Sequence, residues 1–346
     1  MRQFVSIILP STVPALTDIK QKCRHIATPA QEVASVQENL GRIVAVDGMA
    51  IGNSFDGRSS IIEVHMPNIA IIGSGAMGSA VAKRLIDHGA TVLTNLDGRS
   101  ERTIARAKAA GIVPVSRQEL AKAELILSIV PPAEAINVAE LVADISSMMP
   151  APAPFIDLNA IAPKTMQALA ARFEGSGVEV LDGAIIGGPP VPGKSGPTIY
   201  ISGDSAERSR LLENYGLRVR RLDGPLGAAS ALKMCYAGIN KGFIGLGTAM
   251  LLAASRSGAA ESLKAELSES LPDFDRKLSK SIPDMYPKAY RWVAEMQEIA
   301  DFLGEDDPAA TIFRGMAGLF SKMADDVEDS RVLVGQLDEI LAETGG

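Results

Sequence analysis

NIAIIGSGAMGSAVAKRLIDHG, residues 68 to 89, runs from an apolar strand through a glycine-rich turn into an amphipathic helix. The continuous apolar run Ile69-Ala70-Ile71-Ile72 is that of a parallel strand buried on both faces. Gly73, Gly75 and Gly78 follow at G-x-G-x-x-G spacing. In that spacing the first glycine allows the tight turn, the second lets the backbone approach phosphates, and the third lets the helix pack closely on the strand. A helix starting near Ala76 and Met77 turns its free N–H groups toward a pyrophosphate. The glycine spacing alone is a weak signal. Its place between a strand and a helix whose Val81, Leu85 and Ile86 are apolar, against polar Lys83, Arg84 and Asp87, favours a dinucleotide site over a plain turn. Gly89 closes the helix, and Thr91-Val92-Leu93-Thr94 reads as the next parallel strand.

The turn after that strand, Asp97-Gly98-Arg99-Ser100, lies where a nicotinamide dinucleotide presents its adenosine ribose. It reads two ways. Asp97, about 20 residues beyond Gly78, is placed to grip the ribose 2'-OH of NAD, whereas Arg99 and Ser100 suit the 2'-phosphate of NADP. The run Gly98-Arg99-Ser100 favours NADP, with Asp97 left to cap the following helix; NAD stays open.

Apolar runs and helical patterns then alternate to about Arg221: Ile112–Val115, Leu125–Val130, Phe155–Leu158, Val178–Leu181 and Thr198–Ile201. This is the pattern of an α/β, Rossmann-type doubly wound sheet, in which ligands lie at the carboxyl ends of the strands. Three strand ends carry candidates. Val130-Pro131-Pro132 is a rigid turn suited to wall a nicotinamide, Asn159 offers an amide, and the glycines of Asp182–Pro190 leave backbone N–H groups free. Beyond Gly224 the period is helical over 226–254, 261–271, 289–303 and 308–323, which predicts an all-helical second domain with Trp292 in its core. The expected division is an extension over 1–67, a cofactor-binding domain over 68–223 and a helical domain over 224–346.

Residues before Met66 show no sustained period, and poor order is expected there. Arg2, Lys20, Lys22, Arg24 and His25 faintly suggest an organellar presequence, but Asp18 and the missing amphipathic arginine pattern oppose it. Met66, two residues before the first strand, is the expected start, with an upstream extension before it. With 346 residues, 47% hydrophobic, 22% charged and a net charge of -7, the chain suits a soluble two-domain protein. The acidic balance gives no general attraction to nucleic acid or an anionic membrane. The apolar stretch around Phe243–Ala254, interrupted by Gly245 and Gly247, falls short of the ~20 residues of a bilayer span. Cys23 and Cys235 form neither a disulfide framework nor a metal-ligand spacing, so a reducing, cytoplasmic setting and no metal are expected.

Nicotinamide redox chemistry at a carbinol needs a group that takes the hydroxyl proton and returns it. His25, His65 and His88 lie before the motif or at the far end of its helix. Lys233 is the candidate, because it stands on an otherwise apolar helix (Ala228, Ala229, Ala231, Leu232, Met234), where burial lowers a lysine pKa. Tyr236, Ala237 and Asn240 share its face at i+3, i+4 and i+7. Alone, the pattern also fits a snorkelling lysine.

Over about residues 68 to 250 the chain resembles the 6-phosphogluconate dehydrogenase and β-hydroxyacid dehydrogenase superfamily. GSGAMG at 73–78 is similar to its nucleotide fingerprint, Asp157-Leu158-Asn159 with Pro163 to its segment near the nicotinamide, and Gly187-Gly188 to its substrate loop. Gly224-x-x-Gly227 leading to Lys233 is similar to its catalytic motif, and AYRWVAEMQEIA at 289–300 points to a subgroup with a phosphogluconate-dehydrogenase-like C-terminal domain. The resemblance implies Lys233 as acid/base, Gly187 and Gly188, with Ile186 before them, as the loop around a small-molecule substrate, and a homodimer through the helical domain; helical phase, not the resemblance, puts Tyr236 and Asn240 beside that substrate. The departures fall on substrate groups. Tyr236, Ala237 and Asn240 stand where true phosphogluconate dehydrogenases carry His, Asn and Glu, and Ile186 replaces the serine of S-G-G that helps hold a carboxylate. An amide supplies no acidic proton, so 6-phosphogluconate is not the expected substrate. The expectation is hydride transfer at a hydroxyl/carbonyl carbon, with C=N reduction through Tyr236 or a non-catalytic cofactor sensor as alternatives.

Overall fold

The computed structural model describes residues 5–7, 62–64, 66–147 and 149–342. In the segment before Asn68, β1 (Val5–Ile7) and β2 (Ile62–Val64) pair antiparallel, with Val5 opposite Val64. The poor order expected over the rest of that extension lies outside the described residues. Residues 68–346 form a separate compact unit.

That unit begins with β3 (Asn68–Ile72), α1 (Ala76–Asp87), β4 (Thr91–Thr94), α2 (Glu101–Ala109), β5 (Val113–Pro114), α3 (Arg117–Leu120) and β6 (Leu125–Ser128). It continues through α4 (Ala135–Ser146), β7 (Phe155–Asp157), α5 (Pro163–Ala170), β8 (Val180–Ile186), β9 (Thr198–Ser202), α6 (Arg210–Asn214) and β10 (Arg218–Arg221). The eight strands form one sheet in the order β10-β9-β8-β7-β6-β3-β4-β5, parallel except between β8 and β9. Period-two alternation divides β3 between two cores. Ile69 and Ile71 pack with Val81, Leu85, Val92 and Ile156 on one face, and Ala70 and Ile72 with Ile126, Phe155, Val142 and Met166 on the other.

The expected fold class is therefore observed, with two differences. β8 runs on through Ile186, so Asp182–Ile186 is strand and not an open glycine loop. Gly183 serves contact there: a Cβ would lie 2.5 Å from Leu158 Cδ2 and 2.9 Å from the Asp157 carbonyl oxygen. β10, an edge strand of four residues with three arginines, carries too little apolar pattern to be read from sequence.

The helical layer consists of α7 (Ala228–Arg256), α8 (Ala260–Ser270), α9 (Pro272–Met285), α10 (Ala289–Leu303), α11 (Pro308–Glu328) and α12 (Val332–Leu341). α9 and α12 go beyond the helices read from sequence. Pro272 occupies the first turn of α9, where its missing N–H costs nothing, and Pro283 falls at its last turn. α7 is continuous through Gly245 and Gly247, which correct from breaks to packing seats: their Cβ positions face Met316 and Phe320, and Leu278, respectively. At 29 residues, with an 18-residue window of mean hydropathy 1.3, α7 has the length and composition of a bilayer span. Its inner side, Met234, Ile244, Leu251 and Leu252, packs with Leu278, Ile282, Met296, Phe320 and Leu337 as the core of the helical layer.

Candidate active site

The glycine turn fits a dinucleotide. Gly73 has φ +108°, and a Cβ there would meet the Ile129 carbonyl oxygen at 2.2 Å and Val130 Cγ1 at 2.8 Å. A Cβ on Gly78 would meet the Gly73 carbonyl oxygen at 2.0 Å. Gly75 is different, because among the described residues nothing beyond its own chain neighbours lies within 4 Å of its Cβ position. It is also the N-cap of α1 with no side-chain cap, so the helix end faces open space of the kind a pyrophosphate fills. Ala76 and Met77 begin that helix. Behind the turn the Ser74 and Thr94 hydroxyls pair at 3.1 Å, and Thr94 donates to the Ile71 carbonyl at 2.7 Å, tying β4 to the turn.

Asp97, Gly98, Arg99 and Ser100 are all exposed at the end of β4. The expectation that Asp97 caps the next helix is corrected: Ser100 is the N-cap of α2, accepting from the Thr103 N–H, while Asp97 accepts from the Asn95 side chain at 3.0 Å. Ser100 precedes Glu101 at a helix start, where its short hydroxyl reaches the backbone more readily than Asp97 from three residues away.

Asn159 acts inward. Its Oδ1 accepts the Val130 N–H at 2.6 Å, and its Nδ2 donates to Ser128 Oγ at 2.8 Å and to Asp157 Oδ1, whose Oδ2 accepts the Asn159 N–H at 3.0 Å. Asn159 thus sets the Val130-Pro131-Pro132 turn from within the protein. Asp157 is fully buried, and its carboxyl is pushed up to about 7 by burial and by the neighbouring Asp182, against the bonds from Asn159.

Asp182 is the register partner of Asp157 on the next strand, and it organises the other side of the site. Its Oδ2 accepts from the Ser202 hydroxyl and the Ser230 N–H, each at 2.9 Å, and its Oδ1 accepts the Ser230 hydroxyl at 2.6 Å. Ser202 Oγ accepts the Ala229 N–H at 3.0 Å. Two first-turn N–H groups of α7 are thereby satisfied from the sheet, since Gly227, in the left-handed region at φ +102°, has no side chain to cap them. One turn later Lys233 Nζ donates to the Ile185 carbonyl at 2.5 Å. Burial pushes its ammonium below the usual lysine range.

Gly73, Val130 and Asn159 are thus joined by direct contacts, and the pairing of β7 with β8 leads from them to the strand whose Ile185 holds Lys233. Ile186 follows the Lys233 acceptor directly, and Gly187 and Gly188 are exposed beyond it. Tyr236 is 51% exposed and Asn240 half-buried on α7. Arg84, not read as functional from sequence, bonds the Val191 and Lys194 carbonyls at 3.1 and 2.7 Å and so pins the proline-rich loop after Gly188 to α1. A hollow of about 420 Å³ lies there, between α1, Arg106 and Pro189–Pro192.

Sequence reasoning also passed over Lys241 and Glu295, an ion pair joining α7 to α10, and Glu298, which accepts the Ala162 N–H at 3.1 Å. The signal was present: Lys241 stands two turns past Lys233 on the same apolar helix, opposite the segment holding the chain's only tryptophan.

Residues 68–217 match the NAD binding domain of 6-phosphogluconate dehydrogenase, and residues 254–323 match a domain of unknown function, DUF1932. An uncharacterised 28.5 kDa protein of Methanothermus fervidus is 26% identical over 204 residues, 58% of this chain and 76% of that protein. A conserved protein of unknown function, whose solved structure has similarity with 3-hydroxyacid dehydrogenases, is 28% identical with a TM-score of 0.59, over 77% of this chain and 98% of that one. Mycobacterium tuberculosis 3-hydroxyisobutyrate dehydrogenase shares the fold at 20% identity and a TM-score of 0.61, over 80% of this chain and 98% of its own. A Myxococcus stipitatus imine reductase shares it too.

Proposed function

With an NAD-binding domain of the 6-phosphogluconate dehydrogenase type over 68–217 and a DUF1932 domain over 254–323, we propose that this protein is an NADP-preferring oxidoreductase acting at a hydroxyl/carbonyl carbon. The observation that carries the reading is Lys233, held by the Ile185 carbonyl at the end of β8 on a helix anchored to the same sheet as the glycine turn. When bound, the nicotinamide supplies or accepts the hydride. Lys233 takes the proton of the hydroxyl or returns it to the carbonyl oxygen, and its burial brings the neutral amine nearer to neutral pH. Asn159 fixes the turn that walls the site, and the open Gly75 end of α1 receives the pyrophosphate.

Preference for NADP rests on Arg99, exposed beside Gly98 at the end of β4, with Ser100 starting α2. Equal or tighter binding of NAD would defeat it. The division into domains at 223/224, after the extension 1–67, belongs to the same reading. So does a homodimer, supported by Tyr236, Ile239, Phe243, Leu246 and Met250, exposed at helical spacing along α7. The exposed free thiol of Cys235 supports a reducing, cytoplasmic setting.

A second reading, C=N reduction, is favoured by Tyr236, half-exposed one turn from Lys233 with its phenol available as donor. A Lys233→Met variant tests the first reading. It binds cofactor normally and loses turnover of hydroxy acids and aldehydes by about two decades or more, as expected when an acid/base group is removed. Retained turnover overturns it, and turnover of imines alone, lost in Tyr236→Phe, moves the assignment to C=N reduction. Cofactor binding with no turnover of hydroxy acids, aldehydes or imines would make the protein a sensor.

A further inference from the structure

We propose that Lys241 anchors an oxyanion carried by the substrate, and that Glu295 holds its place until the substrate arrives. The inference rests on the oxidoreductase reading of the same site and deepens it by naming a substrate class and a specificity-determining residue.

Lys233, Ala237 and Lys241 succeed one another at one-turn intervals on the side of α7 that meets the sheet and α10. Ala237 is buried and has no polar group, and Ile186, beside the Lys233 acceptor, has none either. The next group able to hold an anion is Lys241. Its ammonium is ion-paired to Glu295 and lies 5.2 Å from the centre of the Trp292 ring, with only 14% and 18% of the two charged side chains exposed. α10 presents Arg291, Glu295 and Glu298 at helical spacing, and Glu298 is already engaged by the Ala162 N–H. Lys233, on the same helix, and the exposed Arg291 are the further cations that act on Lys241, while among the described residues its ion pair is with Glu295 alone and Lys233 is met only by the Ile185 carbonyl. Partly buried positive charge in excess of its counter-charge is costly, and an incoming oxyanion relieves that cost. Burial first, then Lys233 and Arg291, push the Lys241 ammonium down from the lysine range, against the Glu295 carboxylate that holds it charged. A pair serving only to tie α7 to α10 would need neither the second lysine nor the arginine beside it.

Trp292, the only tryptophan of the chain, reports on Lys241 without any turnover. The full-length protein is titrated at constant ionic strength with malonate, with inorganic phosphate and with neutral malonamide, while Trp292 emission is followed. A saturable change is expected with malonate or phosphate and none with malonamide. The midpoint rises tenfold or more in Lys241→Met, which keeps the apolar stem over the ring, and stays near wild type in Lys241→Arg. The cofactor dissociation constant is unchanged in both. Glu295→Gln separates the proposal from a structural pair. Removing the internal competitor tightens anion binding several-fold, whereas loss of a mere tie leaves it unchanged or weaker. No response in the wild type, an equal response to malonamide, or an unshifted midpoint in Lys241→Met overturns the proposal. Response to phosphate alone supports it and assigns a phosphoryl group. Failure of the oxidoreductase reading is distinguishable, because it is seen in Lys233→Met turnover and not in this titration.

Discussion

The sheet half and the helical half of the compact unit hold their functional groups by opposite means. Around β3 and α1, position comes from side chains that are absent, as backbone atoms fill the Cβ positions of Gly73 and Gly78. Around α7, position comes from polar side chains that reach across the molecule, as Asp182 does to Ser230, 48 residues away. The first device leaves a motif, whether the backbone that fills the position is near, as Gly73 is to Gly78, or distant, as Ile129 is to Gly73. The second leaves isolated polar letters in apolar runs, and its meaning emerges only when the strands are in register.

The largest expected effect breaks this comparison within a single motif. In Gly78→Ala the new methyl group meets the Gly73 carbonyl, which belongs to the backbone and has no rotamer to adopt, so a loss of about 3 kcal/mol or more is expected. Gly75 already has ordinary extended geometry, φ -69° and ψ -167°, and an open Cβ direction. Gly75→Ala should leave stability within about 0.5 kcal/mol while weakening cofactor binding tenfold or more. Urea denaturation and cofactor titration of the two variants measure the split. Equal loss of stability in both would mean that Gly75 is a structural glycine and that the space in front of α1 is not a ligand site.

In the helical half, Asp182→Asn is the corresponding lesion and the next in size. It removes the charge that accepts two hydroxyls and a backbone N–H, with an expected cost of about 2–3 kcal/mol, since bonds to a charged group are the strong ones. Because those bonds set the start of α7, turnover should fall with KM for the cofactor unchanged. A rise in cofactor KM without loss of turnover would show that Asp182 serves the sheet side instead.

How far the sequence could be read follows the same division. The fold class, the order of elements from β3 to β9 and the glycine turn were legible because each rests on local periodicity or backbone geometry. Lys233 was legible as a charge on an apolar helix. Asp182 was not, because a strand extending through Gly183 looks like a glycine loop until Leu158 is seen packed against it. The inward bonds of Asn159 were not legible, because its partners Ser128 and Val130 lie about 30 residues away, at and just past the end of β6. α9 was obscured by Pro272 and Pro283, which mark breaks in a sequence and termini in the structure.

The smallest expected effect concerns the place where the two halves meet, at the register pair Asp157 and Asp182. Burial and the Asp182 charge raise the Asp157 carboxyl from 3.8 to about 7, so the folded protein holds a proton that the unfolded chain has released. The sign of the linkage follows: stability from this group is fully present below about pH 4, is lost as pH rises through about 7, and is constant above. Asp157→Asn removes the titration and keeps an oxygen to accept from Asn159. Its Tm should fall less than that of the wild type between pH 5 and pH 8. The gap between the two curves should be a few degrees, given about 2–4 °C per kcal/mol at this size. Parallel curves would mean that the bonds from Asn159 keep Asp157 ionised throughout, and that the Val130-Pro131-Pro132 turn is tuned by hydrogen bonding alone. A flattened curve would show instead that the proton on Asp157 relieves the repulsion between a carboxylate serving the turn and one serving the helix of Lys233.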